Sequence, residues 1–203
     1  MSVAIELAPS AVEVPSSHLH RFTVDEYHRM AAEGILKAED RVELLEGVLV
    51  KKMTHNPPHE YVILKLDDLL SEVLPKGWRR KSQSPITLDS SEPEPDLCIF
   101  RGDLQAFRNR HPIPSEIGLV IEVADTSVAR DRNVKTRIYG RAGIVAYWLI
   151  NLPARRVEVF SEPSPAPEGP GYLRSESFSE SDKVLLVLDG AVIATFAVAD
   201  LLP

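Results

Sequence analysis

The apolar run Leu119-Val120-Ile121 constrains the fold more than any other segment of the chain. It lacks the alternation of a half-exposed strand and is typical of a β-strand that is buried on both faces. Helical patterns precede and follow this run and the other strand-like segments. The sequence therefore predicts an α/β or α+β fold, in which helices flank a mixed β-sheet.

Further strands are predicted where short apolar and β-branched runs are bounded by turn residues. A hairpin is expected over residues 41–53, with Glu46-Gly47 at its turn. From Tyr172 onward the chain is expected to add a β-rich C-terminal segment that ends in a helical turn. The other predicted strands cover residues 86–88, 97–100, 119–123, 146–150, 157–160, 184–188 and 192–196.

Three helices are predicted from the residues at their ends. The sequence Thr-Val-Asp-Glu at 23–26 is a capping box, so a helix is expected to follow it. The Pro-Pro pair at 57–58 suits the first turn of a second helix. A third helix is expected to begin at Ser127 or Asp131 and to continue through Ala142.

The length of 203 residues suits one domain, expected over residues 19–203 after a loose N-terminal arm at 1–18. The single cysteine, Cys98, lies in an apolar run and is expected to be a buried, inert thiol, which argues against a secreted disulfide framework. No apolar stretch approaches the ~20 residues that a membrane helix needs, and no signal-peptide pattern opens the chain. We therefore expect a cytoplasmic protein without a membrane partner.

The net charge of −7 counts against a nonspecific nucleic-acid binder, which usually shows a basic face. Cations nevertheless cluster in two segments. Residues 130–141 carry five cations against one acid, and residues 76–81 combine four cations with a tryptophan. For either cluster, solvated surface charge is the ordinary alternative.

Two carboxylates stand near the ends of predicted strands. Asp96 follows Pro95 and opens one strand, and Glu122 lies near the end of the buried run, where an unpaired carboxylate would be costly. Hard ions such as Mg²⁺ take carboxylate oxygens together with water and substrate phosphate. Such an ion can polarise a phosphate and lower the pKa of an attacking water. Lys135, on the following helix, could supply a cation near the phosphate.

Each of these residues also has an ordinary explanation. Pro-Asp is a common turn dipeptide, and Glu122 could pair with a neighbouring arginine. Lys135 lies four residues after Asp131, which is the spacing of a helix ion pair. The residues by themselves leave these alternatives open.

Several short motifs occur in a fixed order between residues 22 and 160. They are Glu-Leu-Leu-Glu-Gly at 43–47, His59, Pro95-Asp96, Ile-Glu-Val at 121–123, Lys135, Tyr139 and Tyr-Trp-Leu-Ile at 147–150. In this order the chain resembles the Uma2 (DUF820) family of the PD-(D/E)XK superfamily. The resemblance implies a restriction-endonuclease-like fold.

The resemblance also implies roles for individual residues. Asp96 and Glu122 would bind the metal. In the plain superfamily motif a lysine stands two residues after the second acid, where this chain has Ala124. The family pattern places that lysine on the following helix, where Lys135 matches. Glu43 would complete the metal shell or orient water.

His59 matches the histidine of the family and would contact substrate, because it opens a helix whose N-terminus favours phosphate. A capping or surface histidine is the alternative.

The chain departs from the family pattern at two positions. Glu94 adds negative charge beside the proposed site, and Asn151 replaces an acid. Neither is a proposed metal ligand.

The leading hypothesis is therefore a hydrolase, an endonuclease that cuts DNA with Mg²⁺, or Mn²⁺, as cofactor. A homodimer is expected, because cutting two antiparallel strands favours twofold symmetry. The alternative is a catalytically inactive nuclease fold that serves as a binding or regulatory module. A basic rim around a small acidic pocket would support cleavage, and a uniformly acidic cleft would support the alternative.

Overall fold

The computed structural model describes residues 19–54, 56–166 and 169–203, so the arm expected at 1–18 lies outside the described residues. The helices are α1 (Val24–Ala32), α2 (Pro57–Val73), α3 (Val128–Arg130) and α4 (Thr136–Arg141), with a π-helical turn at Asp131–Lys135 between the last two. Short 3₁₀ turns lie at Ala38–Asp40, Leu104–Arg108, Pro114–Glu116 and Val198–Leu201. The strands are β1 (Val42–Leu45), β2 (Val48–Lys51), β3 (Trp78–Ser82), β4 (Leu97–Arg101), β5 (Ile117–Ala124), β6 (Ala146–Asn151), β7 (Arg156–Pro163), β8 (Tyr172–Ser179), β9 (Lys183–Leu188) and β10 (Ala191–Ala197).

Six of these strands form one mixed sheet in the order β3-β4-β5-β6-β7-β8. Only β5 and β6 run parallel within it, and α3, the π-helical turn and α4 make the crossover between them. Every residue of β5 is buried, as predicted for the run at 119–121. Helices α2 and α4 cover opposite faces of the sheet.

Each face of the sheet has its own hydrophobic core. On one face, Ile121 of β5 and Trp148 of β6 pack in a cluster with Leu66 of α2 and Leu186 of β9. On the other face, Val120 packs in a cluster with side chains of α4 and β1. The predicted mixed sheet with flanking helices is therefore confirmed, and so is the additional β-rich C-terminal segment, whose hairpin β9–β10 covers part of the first face.

Local sequence signals explain how the helices begin. Thr23 Oγ1 accepts a hydrogen bond from the amide of Glu26, and Glu26 reaches back to the Thr23 amide at 2.8 Å, so the predicted capping box is present. Asn56 caps α2, and Pro57 and Pro58 occupy its first turn. These prolines cost nothing there, since the first amides of a helix have no partner within it.

The close approach of α4 to the chain before β8 depends on a glycine. A Cβ on Gly140 would lie 2.0 Å from the carbonyl oxygen of Gly171. Any larger residue would push α4 away from the sheet edge. The same contact holds α4, which carries Tyr139 and directly follows Lys135, close to the chain before β8.

The strand predicted at 86–88 is wrong. Ile86 and Leu88 are buried, but the segment is a loop whose amides bond to the carbonyls of Pro93, Pro112 and Ser91 rather than to a neighbouring strand. Two observed strands, β3 and β8, were not predicted. Both lie at the edges of the sheet and carry many charged or polar residues, so they lack the apolar run that marks a central strand.

Cys98 is fully buried in β4, as expected, and burial raises the pKa of its thiol to about 12, which makes it unreactive at neutral pH. Among the described residues no helix is long and apolar enough to cross a membrane.

Candidate active site

The pairing of β4 with β5 brings the two predicted metal-binding acids together. Leu97 pairs with Ile121 in antiparallel register, so Asp96, one residue before β4, lies beside Glu122. Both carboxylates line one cavity of about 280 Å³. Glu43, His59 and Lys135 line the same cavity. The structure therefore gathers all five residues that the sequence singled out, and their roles stay predictions.

Glu122 is the most constrained acid of this cavity. Its Oε1 accepts hydrogen bonds from Lys135 Nζ at 2.7 Å and from the Tyr139 hydroxyl at 2.6 Å. Burial raises the pKa of Glu122 to about 8, against the lowering effect of the Lys135 ammonium and with a further raising contribution from Asp96. Within the described structure both hydrogen bonds use Oε1, which leaves Oε2 for a ligand.

Lys135 is 3% exposed and ends the π-helical turn. Its Nζ lies 3.6 Å from Glu43 Oε2 as well as 2.7 Å from Glu122. Burial alone would lower the pKa of Lys135, but these two carboxylates and Asp131 outweigh it and raise the pKa. Lys135 is thus a protonated cation, and its ion pairs within the described structure are with Glu43 and Glu122, not with Asp131.

Asp96 is held in place by neighbours on two elements. Its Oδ2 accepts a hydrogen bond from the backbone amide of Val123 at 2.8 Å and lies 3.1 Å from His59 Nε2. An amide and an imidazole at one carboxylate oxygen fix the orientation of the group. His59 therefore contacts the proposed metal ligand directly.

The N-terminus of α2 has few backbone donors to offer a phosphate. Pro57 and Pro58 carry no N–H, and the His59 amide donates to the Asn56 side chain at 3.1 Å. The Glu60 amide donates to the Asn56 carbonyl. A direct phosphate contact by His59 stays a prediction, and its ring Nε2 lies within hydrogen-bond distance of Asp96.

Glu43 projects from β1 and lines the cavity. It is 1% exposed, and its Oε2 accepts a hydrogen bond from the Glu94 amide at 3.2 Å. The charge of Glu94, which the sequence flagged as a departure, is balanced by Lys52 at 2.5 Å. The extra acid therefore adds no uncompensated charge beside the site.

The mouth of the cavity carries charges of both signs. Arg41, Lys52 and Arg130 line it, and so do the half-buried acids Glu94 and Asp125. The cleft is therefore neither uniformly acidic nor surrounded by cations alone. It has buried acids inside, and three cations with two further acids at its more exposed edge.

Most of the cations in the two basic clusters have structural partners. Arg132 forms a two-point ion pair with Glu158, and Arg137 forms another with Glu46. Arg80, from the second cluster, holds Asp67 of α2 at 2.6 and 2.8 Å. These arginines tie elements together, so the ordinary interpretation fits them, and Arg130 is the cation of the first cluster that lines the cavity mouth.

Two further residues of the site were not assigned roles from the sequence. Tyr139 is fully buried and donates to Glu122, a contact that only the packing of α4 reveals. Asp131 is 2% exposed and lines the cavity. Its four-residue spacing from Lys135 suggested a helix ion pair, which hid its position in the cavity.

The donor set suits a hard divalent ion. Magnesium sites commonly use one or two carboxylates and keep several waters, and Asp96 and Glu122 supply two carboxylates on one cavity. Over the described ranges, no group of three or more histidine, cysteine or acidic side chains is arranged to hold a metal ion. A site built wholly from protein ligands, such as structural zinc, is therefore not what these residues offer.

Comparison with known proteins gives a family and a fold. A family model described as "Uma2: Putative restriction endonuclease" matches residues 24–195. No curated protein matches the chain. A crystal structure from Anabaena variabilis ATCC 29413, described as a "putative nuclease belonging to DUF820", is similar with a TM-score of 0.67 at 18% identity, covering 89% of this chain and 97% of that chain. At this identity the likeness shows the fold.

Proposed function

Because the chain belongs to the Uma2 family, we propose that it is an endonuclease that hydrolyses DNA phosphodiester bonds with Mg²⁺ as cofactor. Mn²⁺ is the expected substitute, since it also favours carboxylate and water ligands. The observation that carries the proposal is the convergence of Asp96, Glu122 and Lys135 on one cavity. Two carboxylates and an ammonium at one point match the needs of phosphodiester hydrolysis.

Each residue has a role that follows from its environment. Asp96 and Glu122 would hold the ion, which when bound polarises the phosphate and lowers the pKa of an attacking water. Lys135 is held as a cation and would stabilise the negative charge that develops on the phosphate in the transition state. Glu43 would orient the Lys135 ammonium from β1, and His59 would orient Asp96.

The substrate would enter past the cations at the cavity mouth. Arg41 and Arg130 line this entrance and can attract a phosphate backbone despite the net charge of −7. A homodimer is part of the proposal, because two copies related by a twofold axis can address both strands of a duplex.

The test is cleavage of supercoiled plasmid by the purified chain with Mg²⁺, with Mn²⁺ and with a chelator. Nicked or linear product is expected only with metal. Asp96→Ala should abolish it, whereas Asp68→Ala, at an exposed acid of α2, should cleave as wild type does. Cleavage that persists in chelator, or in Asp96→Ala, would show that another protein or another site is responsible.

A catalytically inactive binding module is the second candidate, and one observation favours it. The net charge of −7 opposes the approach of a phosphate backbone to the cavity. If the protein binds Mn²⁺ in calorimetry and binds DNA but never cuts it, the module is the better description. Plasmid cleavage that depends on Asp96 excludes it.

A further inference from the structure

Strand β8 (Tyr172–Ser179) forms one edge of the six-stranded sheet. In the described part of the chain it bonds to β7 alone, so its other side carries backbone donors and acceptors that no strand uses. Residues 173–177 are exposed, and Leu173 is 69% exposed. An edge of this kind is a template for pairing with a strand of another chain.

The opposite edge of the sheet, β3, is protected against such pairing. It carries consecutive cations at residues 79–81, and Arg80 holds Asp67 of α2 at 2.6 and 2.8 Å. Charged residues and a covering helix are usual means by which an edge strand avoids other chains. In contrast, β8 contains neither proline nor lysine, and its one cation, Arg174, is balanced by Glu176 at 2.9 Å. Of the two edges, β8 is therefore the one that is open to a partner.

The charges of β8 select a register for pairing with a second copy of the same strand. Opposite residues of an antiparallel pair share a face, so a twofold axis perpendicular to the sheet must pass through a residue position. With the axis at Ser175, Arg174 lies opposite Glu176 of the second copy, and Glu176 lies opposite Arg174. With the axis at Arg174 or at Glu176, two like charges would face each other, which is destabilising.

The other face of β8 leaves room for this register. Ser175 would lie opposite Ser175 of the second copy, where the two hydroxyls can form a hydrogen bond. Leu173 would lie opposite Ser177, which has a small side chain, and would lose part of its exposure to water. The two edges would then exchange backbone hydrogen bonds along the antiparallel pair.

We propose that β8 pairs with β8 of a second copy in the antiparallel register centred on Ser175, which joins the two six-stranded sheets into one. The inference gives a surface to the homodimer of the proposed function, and it rests on that function only for the expectation of two copies. Because the twofold axis is perpendicular to the sheet, α4 and the Glu122 side chain that it contacts lie on the same side in both copies.

The first test is a disulfide that only this register allows. Ser175→Cys places two thiols opposite each other, at a Cα separation of about 4.5–5.5 Å that suits a disulfide. Ser177→Cys is the matched control, because it is also exposed and on the same face but lies about 13 Å along the strands from its counterpart. Under mild oxidation Ser175→Cys should give a covalent dimer on a nonreducing gel, and Ser177→Cys should remain single chains. The native Cys98 is fully buried and should not react.

The second test reverses charges and measures the dimer Kd by sedimentation velocity. Arg174→Glu and Glu176→Arg each place like charges opposite each other twice per dimer, so each should raise Kd at least about tenfold. An equimolar mixture of the two variants pairs opposite charges again and should form heterodimers with about the Kd of wild type. Arg110→Glu is the control, because it also breaks a surface ion pair, with Glu116, but lies in the chain between β4 and β5. Its Kd should not change.

The outcomes separate this inference from the nuclease function. A monomeric wild type would overturn the β8 surface together with the proposed homodimer, and metal-dependent plasmid cleavage would still stand. A dimer in which Ser177→Cys cross-links as well as Ser175→Cys does, or in which the mixed variants stay monomeric, would overturn the β8 surface. A covalent Ser175→Cys dimer that never cleaves DNA would support the surface and contradict the nuclease.

Discussion

The hydrogen bond from Tyr139 to Glu122 gives a test of the site that needs no substrate. Tyr139 and Tyr147 are both fully buried, and their rings lie 5.2 Å apart, so their surroundings are closely matched. The two tyrosines differ in the group that accepts the hydrogen bond from the hydroxyl. Tyr139 donates to a carboxyl oxygen at 2.6 Å, and Tyr147 donates to the carbonyl of Asp131 at 3.2 Å.

Replacing each tyrosine with phenylalanine should therefore destabilise the protein by different amounts. A hydrogen bond to a charged group contributes about 1.5–3 kcal/mol, and one between neutral groups about 0.5–1.5 kcal/mol. For a domain of this size 1 kcal/mol lowers Tm by about 2–4 °C. At pH 9, where Glu122 is ionised, we expect Tyr139→Phe to lower Tm by about 4–8 °C and Tyr147→Phe by about half as much.

The difference between the two variants should depend on pH. The pKa of Glu122 is raised by burial to about 8, so its ionised form is the minor one at pH 6 and the major one at pH 9. The Tyr139 hydroxyl favours the ionised form, and its own pKa is raised by burial well above 10, so it remains a donor at pH 9. Loss of that donor should cost more as pH rises through about 8, whereas the penalty of Tyr147→Phe should be flat.

Urea unfolding of wild type and both variants at pH 6 and pH 9 measures these differences. A double variant with Glu122→Gln should lose most of the extra penalty of Tyr139→Phe, because the charged acceptor is gone. Equal destabilisation by the two substitutions at pH 9 would refute the reasoning. So would a penalty for Tyr139→Phe that shrinks as pH rises.

Three further predictions concern the metal, the lysine and the asparagine at the end of β6. Mg²⁺ or Mn²⁺ should raise the free energy of unfolding by about 2.7 kcal/mol at a hundredfold excess over Kd. A thermal-shift titration should show this rise in wild type and not in Asp96→Ala, and an equal rise in both would place the ion elsewhere. Lys135→Ala should abolish cleavage. It should also lower the free energy of unfolding in urea by about 3–5 kcal/mol, because it leaves Glu122 and Glu43 buried without their cation. A variant as stable as wild type would contradict the observed ion pairs. Asn151 donates a hydrogen bond to Glu158 at 3.0 Å. Burial raises the pKa of Glu158, but the hydrogen bonds from Arg132 and Asn151 outweigh burial, so the pKa is lowered. Asn151→Asp should therefore destabilise the protein by about 1–3 kcal/mol at pH 7. The loss should be smaller at pH 4, where the new pair of carboxylates is partly protonated. Urea unfolding that shows the same loss at both pH values would contradict this prediction.

The central strands and the helix ends could be predicted because their signals are local. The run at 119–121 is apolar on both faces, and Thr23 with Glu26 makes a cap that needs no tertiary contact. The edge strands β3 and β8 could not be found in this way. An edge strand pairs on one side only, so polar residues such as Arg79 and Ser175 are acceptable on it, and neighbouring strands decide that it forms.

The candidate site was predictable to the level of residue positions and no further. Asp96, Glu122 and Lys135 were recognised because their order resembles that of a family, and the structure then brings them to one cavity. The resemblance carried no information on hydrogen bonds. The contacts of Tyr139 with Glu122 and of His59 with Asp96 join residues 17 and 37 positions apart, so only the packing of the helices against the sheet creates them.

Lys135 lies on the crossover rather than two residues after Glu122 on β5. The cation and the acid therefore belong to different structural elements. A lysine on the strand would stay with its acid for as long as the sheet holds. Here, opening of the segment from α3 to α4 would withdraw Lys135 and Tyr139 together, while Glu122 stays on β5 and Asp96 stays next to the start of β4. Across variants, cleavage activity should therefore correlate more closely with the protection of the crossover amides from hydrogen exchange than with the protection of the β5 amides.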